Sequence, residues 1–497
     1  MNLRINIVAN YVGRAYAMAS TYLFIPFYVA ILGTTAYGVI AFYALLLTIG
    51  ALADVGLSST FAREAARQVD KRQLIHLLAA AERILLGGAA AFSLVALLGA
   101  SWIVEHWLNI GPLDRAEATT SLRLMALMIT PHLLISLYSA GLLGLQRQVS
   151  ANLLQALFVT VRSGLVILVI MWKPDLPTFF SWQLGATVLF MVVSRVVLVR
   201  ALGLPWFANA PFRFASIRTQ LGYASGMLAI TLIAGLNTQL DKLLISRSLS
   251  LTEFGFYSLA SVLAQAPSAI TTPVVVALFP KLTTHIAAGE IEQAYDDYML
   301  YSRFIAFAGA LSGLGLVLFS PEILAIWLHQ PALPAVVPQV ASLLAIGGIF
   351  LCLQSSPYYL SLAYGENRTI VVMAAVTLLA SVPLTVIAIN THGLLGAAAV
   401  WVFVTGTNYV SITIAVHRRR FRGRHLVWTM KSFIVPLALA ATPLVLARLA
   451  ANQWAGSALV TMLWAAVGAA MAAGLFGALY LIERLRAGNA LDSPPVA

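Results

Sequence analysis

Residues 5–31, INIVANYVGRAYAMASTYLFIPFYVAI, form one long apolar run interrupted by a single charge. About 20 apolar residues suffice to cross a bilayer as a helix, so the run predicts a transmembrane span. Arg14 sits about a third of the way along it. Asn6, Asn10 and Arg14 are spaced four apart and share one helix face. A charge at that depth is costly and faces a bundle interior or a wet cavity. The sequence therefore predicts a use for positive charge inside the membrane.

The rest of the chain fits that start. Of 497 residues, 60% are hydrophobic and only 10% charged, whereas soluble domains carry about a quarter charged residues. The fold class is an all-α polytopic membrane protein. We count fourteen spans, near 5–31, 36–59, 77–103, 122–145, 152–172, 178–199, 223–246, 255–279, 301–326, 336–362, 369–390, 393–416, 430–450 and 457–482. The first span is too long for a cleavable signal and turns directly into a second. The sole cysteine, Cys352, excludes an internal disulfide and a cysteine-based metal cluster.

The net charge of +12 would suit a nucleic-acid binder, but its distribution says otherwise. Roughly 22 basic residues fall in one set of connections, including the Arg418–Arg424 cluster, and about 5 in the other. That asymmetry predicts that the first set, and both termini, are cytoplasmic. The charge is topological, and no nucleic acid is expected as a partner. Membrane lipids are, the arginine cluster being suited to anionic head groups.

Gly203, Pro205 and Pro211 mark 203–222 as a cytoplasmic linker. It separates an N-terminal six-helix lobe, 1–202, from a C-terminal one, 223–417; residues 418–497 add two further helices and a tail. The lobes repeat each other. Leu32, Thr35, Tyr37 and Gly38 match Leu249, Thr252, Phe254 and Gly255 at an offset of 217, and Arg83 and Trp107–Leu108 match Arg303 and Trp327–Leu328 at 220. Tyr138, Gly144 and Arg147 match Tyr359, Gly365 and Arg368 at 221, and Trp182 matches Trp401 at 219. An even number of spans per copy predicts a parallel repeat with its axis along the membrane normal.

No GxxxxGK[ST] or HExxH pattern is present, which argues against ATP and metal chemistry. The ionisable residues within spans carry the functional signal. Arg14 and Arg162 are the expected cavity cations, because acids at comparable depth are too few to neutralise both. Asp54, Asp241 and Lys242 are candidates for coupling or gating. Arg195 lies near enough to the inner edge to snorkel and is discounted. His132 reads as a packing residue before a proton relay. Polar stripes, Ser258–Ser261–Gln265–Ser268–Thr272 in span eight and Asn237–Asp241 in span seven, suggest a wet cleft. Pro26, Pro131, Pro267, Pro273 and Pro357 are expected kinks. Substrate contacts are expected from Asn10, Arg14, Arg162, Asn237 and Gln265.

Two runs carry a family resemblance. NYVGRAYAMASTYLFIPFYVAILGTTAYGVIAFYALLLTIGALADVGLSSTFARE, at 10–64, and LDKLLISRSLSLTEFGFYSLASVLAQAPSAITTPVVVALFPKL, at 240–282, resemble Wzx-type polysaccharide exporters (O-antigen flippases). The shared features are P-x-Y-x-x-x-L-G-x-x-x-Y-G from Pro26 to Gly38, D-x-G-L at Asp54, and L-D-K before L-x-x-x-x-[FY]-G at Leu249–Gly255. The wider superfamily includes multidrug extruders and peptidoglycan-precursor flippases. The resemblance implies a bacterial inner-membrane flippase for an undecaprenyl-diphosphate-linked oligosaccharide, working by alternating access, with H+ or Na+ as coupling ion in some members. It implies no metal and no other cofactor. Polymerase and chain-length or export machinery are implied partners. By position, the cationic cavity residues of such flippases correspond to Arg14 and Arg162.

The residues agree on charge: a diphosphate-sugar head group is anionic, and arginine offers a permanent charge and a forked donor array. A cation-coupled drug antiporter of the same fold would want a buried carboxylate without a cationic neighbour, and Asp241 adjoins Lys242. An enzyme, such as a membrane polymerase or glycosyltransferase, would want catalytic groups on a sizeable outer loop, which the spacing does not leave. Arg14→Ala is expected to abolish glycan export while the protein still inserts; normal export from that variant would remove Arg14 from the site.

Overall fold

The computed structural model describes residues 3–54, 56–67, 71–111, 113–204, 235–329, 333–454 and 456–491. They are helical almost throughout, as hydrocarbon demands: with no water to meet N–H and C=O groups, a spanning segment must satisfy its own backbone. The helices are α1 (Leu3–Leu32), α2 (Thr34–Gly50), α3 (Leu57–Ala66), α4 (Lys71–Trp102), α5 (Arg115–Gly144), α6 (Gln148–Val159), α7 (Val166–Trp172), α8 (Leu176–Ala201) and α9 (235–248). There follow α10 (Leu251–Ala264), α11 (Ala266–Ala288), α12 (Ile291–Leu328), α13 (Val336–Ala363), α14 (Asn367–Arg420), α15 (His425–Thr429), α16 (Val435–Trp454) and α17 (Ala458–Leu491).

Each of the fourteen expected spans has a helical counterpart among the described residues. Among the described residues eleven helical segments, some of them running across a break between the helices named above, are long and apolar enough to cross a membrane. α14 holds two expected spans joined at Gly393, whose φ of 57° interrupts the helix; α2 is a 17-residue apolar helix; and α9 is the described end of the seventh span. The expected linker residues 205–222 lie outside the described residues.

Two of the interruptions were not expected, and one lies beside the expected Pro267. α1, α5 and α13 run on through Pro26, Pro131 and Pro357. Span two, expected as one helix, is broken by a 3-10 turn at Ala51–Asp54 and by Gly56. Span five is broken by a π turn at Thr160–Gly164. Span eight is broken at Gln265, one residue before α11. A proline in a helix removes one hydrogen bond, and neighbouring helices can answer it in a membrane protein.

The chain divides into two compact units, Met1–Ser258 and Leu259–Ala497. In the first, α3, α4, α5 and α8 pack around Phe61, Leu78, Leu85, Leu137 and Leu198. Small residues set the spacing: a β-carbon on Gly144 would lie 2.3 Å from the Ala62 carbonyl oxygen, so only glycine lets α3 and α5 approach so closely. Asp114 and Asp175 cap α5 and α8, accepting from the Ala116 and Thr178 amides at 3.3 and 2.7 Å. Glu117 of α5 also accepts from the Leu176 amide at 2.9 Å, tying the two starts together.

The same core buries an ionic network that the sequence reading missed. Glu82 Oε1 accepts from Tyr138 Oη at 2.9 Å and from Arg195 Nε at 2.8 Å. Arg195 is therefore not a snorkelling residue: its charge is turned inward to a carboxylate with about a tenth of its surface exposed. Burying a lone charge costs more than burying a matched pair, and Glu82 lies in α4 where Arg195 of α8 can reach it.

In the second unit, α11, α12, α13 and α14 form one packed group, with α16 and α17 against α12. Arg448 of α16 pairs with Glu322 of α12 at 2.6 Å, and Arg303 of α12 with Glu483 of α17. The appended helices are thus fixed by charge as well as by packing. Acids at 290–297 are paired: Arg424 grips the exposed Glu292 with two bonds of 2.7 and 2.8 Å, and Lys281 meets Asp297 at 2.9 Å. Cys352 is buried in this unit.

Glu82→Ala is expected to lower stability by about 2–4 kcal/mol, because it strips Arg195 of its carboxylate. Arg195→Ala in the same chain should recover part of the loss. Thermal unfolding of the purified variants checks this; losses that simply add would show the two residues uncoupled.

Candidate functional site

The site is built around the π turn in span five. Thr160 and Val161 are β-branched and Gly164 is a weak helix former, so the local sequence tolerates a departure from α geometry. The Leu165 amide donates to the Thr160 carbonyl at 2.9 Å, one residue further back than in an α-helix. The carbonyls of the turn are answered from other helices. Trp182 Nε1 donates to the Val161 oxygen at 2.9 Å, and Gln183 Nε2 to the Arg162 oxygen at 3.1 Å. Tyr28 Oη donates to the Ser163 oxygen. Tyr16 Oη and Thr160 Oγ1 lie 2.5 Å apart. Three consecutive carbonyls thus receive side chains from α1 and α8, in an interior where an unanswered carbonyl is expensive.

The turn aims Arg162. Its guanidinium carbon lies 5.4 Å from the centre of the Tyr43 ring and 5.5 Å from that of Phe158, within cation–π range of both. Arg162 Nε donates to Gln183 Oε1. One amide group therefore holds Arg162 at both ends, its oxygen on the guanidinium and its nitrogen on the main chain. Gln183 is itself fixed, being only 3% exposed. Among the described residues no carboxylate comes within 4.0 Å of Arg162. Its two terminal nitrogens are left as a fork of donors without a partner there, as in a guanidinium held ready for an anion. Beyond Phe158, at 6.2 Å between ring centres, lies His132, whose Nδ1 is buried without a hydrogen-bond partner.

The other predicted site residues fall as follows. Asn10 and Arg14 lie on α1, and their side chains are outside the described residues. Asn237 is half-buried on α9. Asp241 of the same helix accepts from Tyr257 Oη at 2.6 Å and lies 3.7 Å from Lys242 Nζ. Asp54 accepts from the Ser58 hydroxyl at 2.7 Å and the Ser58 amide at 3.1 Å, in the first turn of α3. Gln265 belongs to the second unit, is exposed at the start of α11, and reaches the Ser261 carbonyl at 3.5 Å. The span-eight stripe turns inward in part, since Ser258 and Ser261 are buried.

Sequence reasoning singled out Arg162 but not the side chains that hold it, Tyr43, Phe158 and Gln183. A glutamine and a tyrosine in apolar spans were the available signals. They went unread because nothing in the spacing shows that they meet Arg162.

The comparisons with known proteins agree with this architecture. The polysaccharide biosynthesis protein family model matches residues 3–285, more than half of the chain. The chain belongs to this family. It is 22% identical over 375 residues to a Shigella flexneri protein named "Putative O-antigen transporter", covering 74% of this chain and 87% of that one. Its fold is similar to that of the lipid II flippase MurJ in an inward closed conformation, with a TM-score of 0.72, 12% identity and coverage of 97% and 99% of the two chains. An inward-facing multidrug transporter of the MATE family gives a TM-score of 0.64 at 12% identity, over 84% and 96% of the two chains. This is a multi-pass membrane protein of a transporter family, with the MurJ/MATE fold, and not an enzyme.

Arg162→Lys is expected to lose transport nearly as fully as Arg162→Ala, because an ammonium cannot meet Gln183 and both rings while presenting a fork. Gln183→Glu should be worse than Gln183→Ala, since a carboxylate would occupy the guanidinium. Comparable activity in Gln183→Glu and the parent would dissociate this clamp from transport.

Proposed function

We propose that this protein translocates an undecaprenyl-diphosphate-linked oligosaccharide from the inner to the outer leaflet of a bacterial inner membrane, for surface or secreted polysaccharide. The observation that carries the reading is Arg162: a permanent cation within a span, held by Gln183, Tyr43 and Phe158, with no carboxylate within 4.0 Å among the described residues. A diphosphate must exchange its hydration for something on crossing about 30 Å of hydrocarbon. A guanidinium fork supplies charge and geometry together. Arg14, one helix away in the first span, would add a second cation, and Asn10, Asn237 and Gln265 would meet sugar hydroxyls. The prenyl tail stays in the bilayer throughout.

The family supports a polysaccharide pathway, and the name of the Shigella flexneri relative supports O-antigen as the class of cargo. The carboxylates weigh against a drug antiporter. Asp241 is engaged by Tyr257 and Lys242, Asp54 by Ser58, and Glu82 by Arg195 and Tyr138. The basic connections favour a cytoplasmic side for both termini in this reading, and polymerase and chain-length machinery would take the product on the outer side.

Deleting the gene in its host tests the proposal. The expected result is loss of surface glycan with lipid-linked units accumulating in the inner leaflet, both restored by the gene in trans. Unchanged glycan with altered sensitivity to cationic dyes would transfer the function to drug extrusion.

A further inference from the structure

Four rings meet at one end of the second unit, and each carries a polar atom without a partner. Trp428 of α15 stacks on Tyr298 of α12 at 5.5 Å between ring centres. His417 of α14 lies 4.8 Å from Trp428, 5.8 Å from Tyr298 and 5.1 Å from His425 of α15. Tyr298, His417 and Trp428 are 0, 2 and 1% exposed, and His425 is half-buried. Tyr298 Oη, His417 Nε2, His425 Nδ1 and Trp428 Nε1 are buried with no hydrogen-bond partner among the described residues. Such atoms are rare in a folded interior, because each forfeits the hydrogen bond it made to water. Four of them on touching rings point to a guest.

The chemistry of the atoms says which guest. His417 Nδ1 is 2.9 Å from the Thr413 carbonyl oxygen, which can only accept, so this nitrogen carries the hydrogen. Nε2 of the neutral ring is then a lone pair, which repels an anion. A metal ion would want further ligands, and among the described residues no group of three histidine, cysteine or carboxylate side chains could hold one. What two nitrogens can hold alone is a proton. Added to one nitrogen, it makes the other its acceptor, and a hydrogen bond with one ionised partner is among the stronger ones. A second proton is resisted, since two imidazoliums at this spacing repel.

The charged groups on the elements packed around the pair are largely answered elsewhere. Arg424, next to His425, grips Glu292 of α12 and lies over the Tyr295 ring at 4.8 Å. Arg419 and Arg420, at the end of α14, pair with Glu366 beyond α13, and Arg420 lies over the Tyr364 ring at 4.2 Å. Lys281 of α11 pairs with Asp297 of α12. Asp296, Arg418, Arg422 and Lys431 are exposed, where salt screens them.

We propose that His417 and His425 bind one proton between them, and that this proton clasps α15, which leads into the two appended helices, to the end of α14. In the conformation seen here the two nitrogens are not bonded to each other; proton uptake draws them together. The proton comes from solvent by way of the half-buried His425 ring and returns there. The hold of the core on its appended helices is therefore tighter in acid. The site is independent of the cargo assigned above.

The test is tryptophan emission of the purified full-length protein, because an imidazolium quenches a nearby indole more strongly than a neutral imidazole does. The signal of Trp428 is the difference between the parent and Trp428→Phe, which removes the response of Trp102, itself stacked on His106. From about pH 8 to about pH 4, across the histidine range, that signal is expected to fall about twofold with the slope of a single proton. His417→Gln and His425→Gln should each abolish the fall. A fall that survives in either variant, a slope of two protons, or no fall in the parent overturns the shared site. His425 is half-buried, so His425→Gln keeps the test open if Trp428→Phe does not fold: the parent minus His425→Gln reads the same titration. Hydrogen exchange, corrected for the intrinsic effect of pH, reads the clasp. Amides of 425–434 are expected to exchange about threefold more slowly in acid in the parent and at an unchanged rate in His425→Gln. Equal protection at both pH values in the parent contradicts the clasp.

Discussion

Inside a bilayer a main-chain carbonyl that leaves its helix must be answered by another part of the protein, and this constraint shapes the first unit. In the π turn at Thr160–Gly164 three successive carbonyls accept from Trp182, Gln183 and Tyr28. Those side chains come from α8 and α1, so the turn joins three spans. It also orients Arg162, because Gln183 serves the Arg162 carbonyl and the guanidinium with one amide. The irregularity and the cation are one device. Without the turn, Gln183 would have no second bond, and Arg162 would have no fixed direction.

Several other charges among the described residues are kept in pairs. Glu82 with Arg195, Glu322 with Arg448, Glu483 with Arg303 and Glu292 with Arg424 each hold two helices or segments together. Against that pattern the Arg162 guanidinium stands out for its aromatic and amide partners. Duplication did not copy these pairs evenly. The position matching Glu82 in the second copy is Ser302, which is buried in the second unit. Glycine recurs at the matching positions 38 and 255, within α2 and α10, whereas the interior chemistry at 82 and 302 differs.

Much of the fold was legible. Apolar runs about 20 residues long are a property of the chain alone, and they give the spans; the offset near 217 and the basic asymmetry predict a repeat and a sidedness. The breaks at Ala51–Asp54 and Thr160–Gly164 were not read, since proline is conspicuous in sequence whereas these stretches carry no comparable mark; the break at Gln265 lies two residues before Pro267, an expected kink. Arg162 was legible as an isolated charge. Its clamp was not, because Tyr43 and Gln183 lie 119 and 21 residues away in sequence and meet it only through helix packing. Arg195 was misread for the same reason: its depth was visible, but its partner Glu82, distant in sequence, was not.

The most direct measurement is translocation by the purified protein in liposomes, using an undecaprenyl-diphosphate-linked oligosaccharide from the host with a fluorescent label on the sugar. Leaflet location is read by a quencher that cannot cross the membrane. The expected result is transfer of the label between leaflets by the wild type and its loss in Arg162→Ala, with the variant protein folded and inserted. Equal transfer by both proteins would contradict the role given to Arg162.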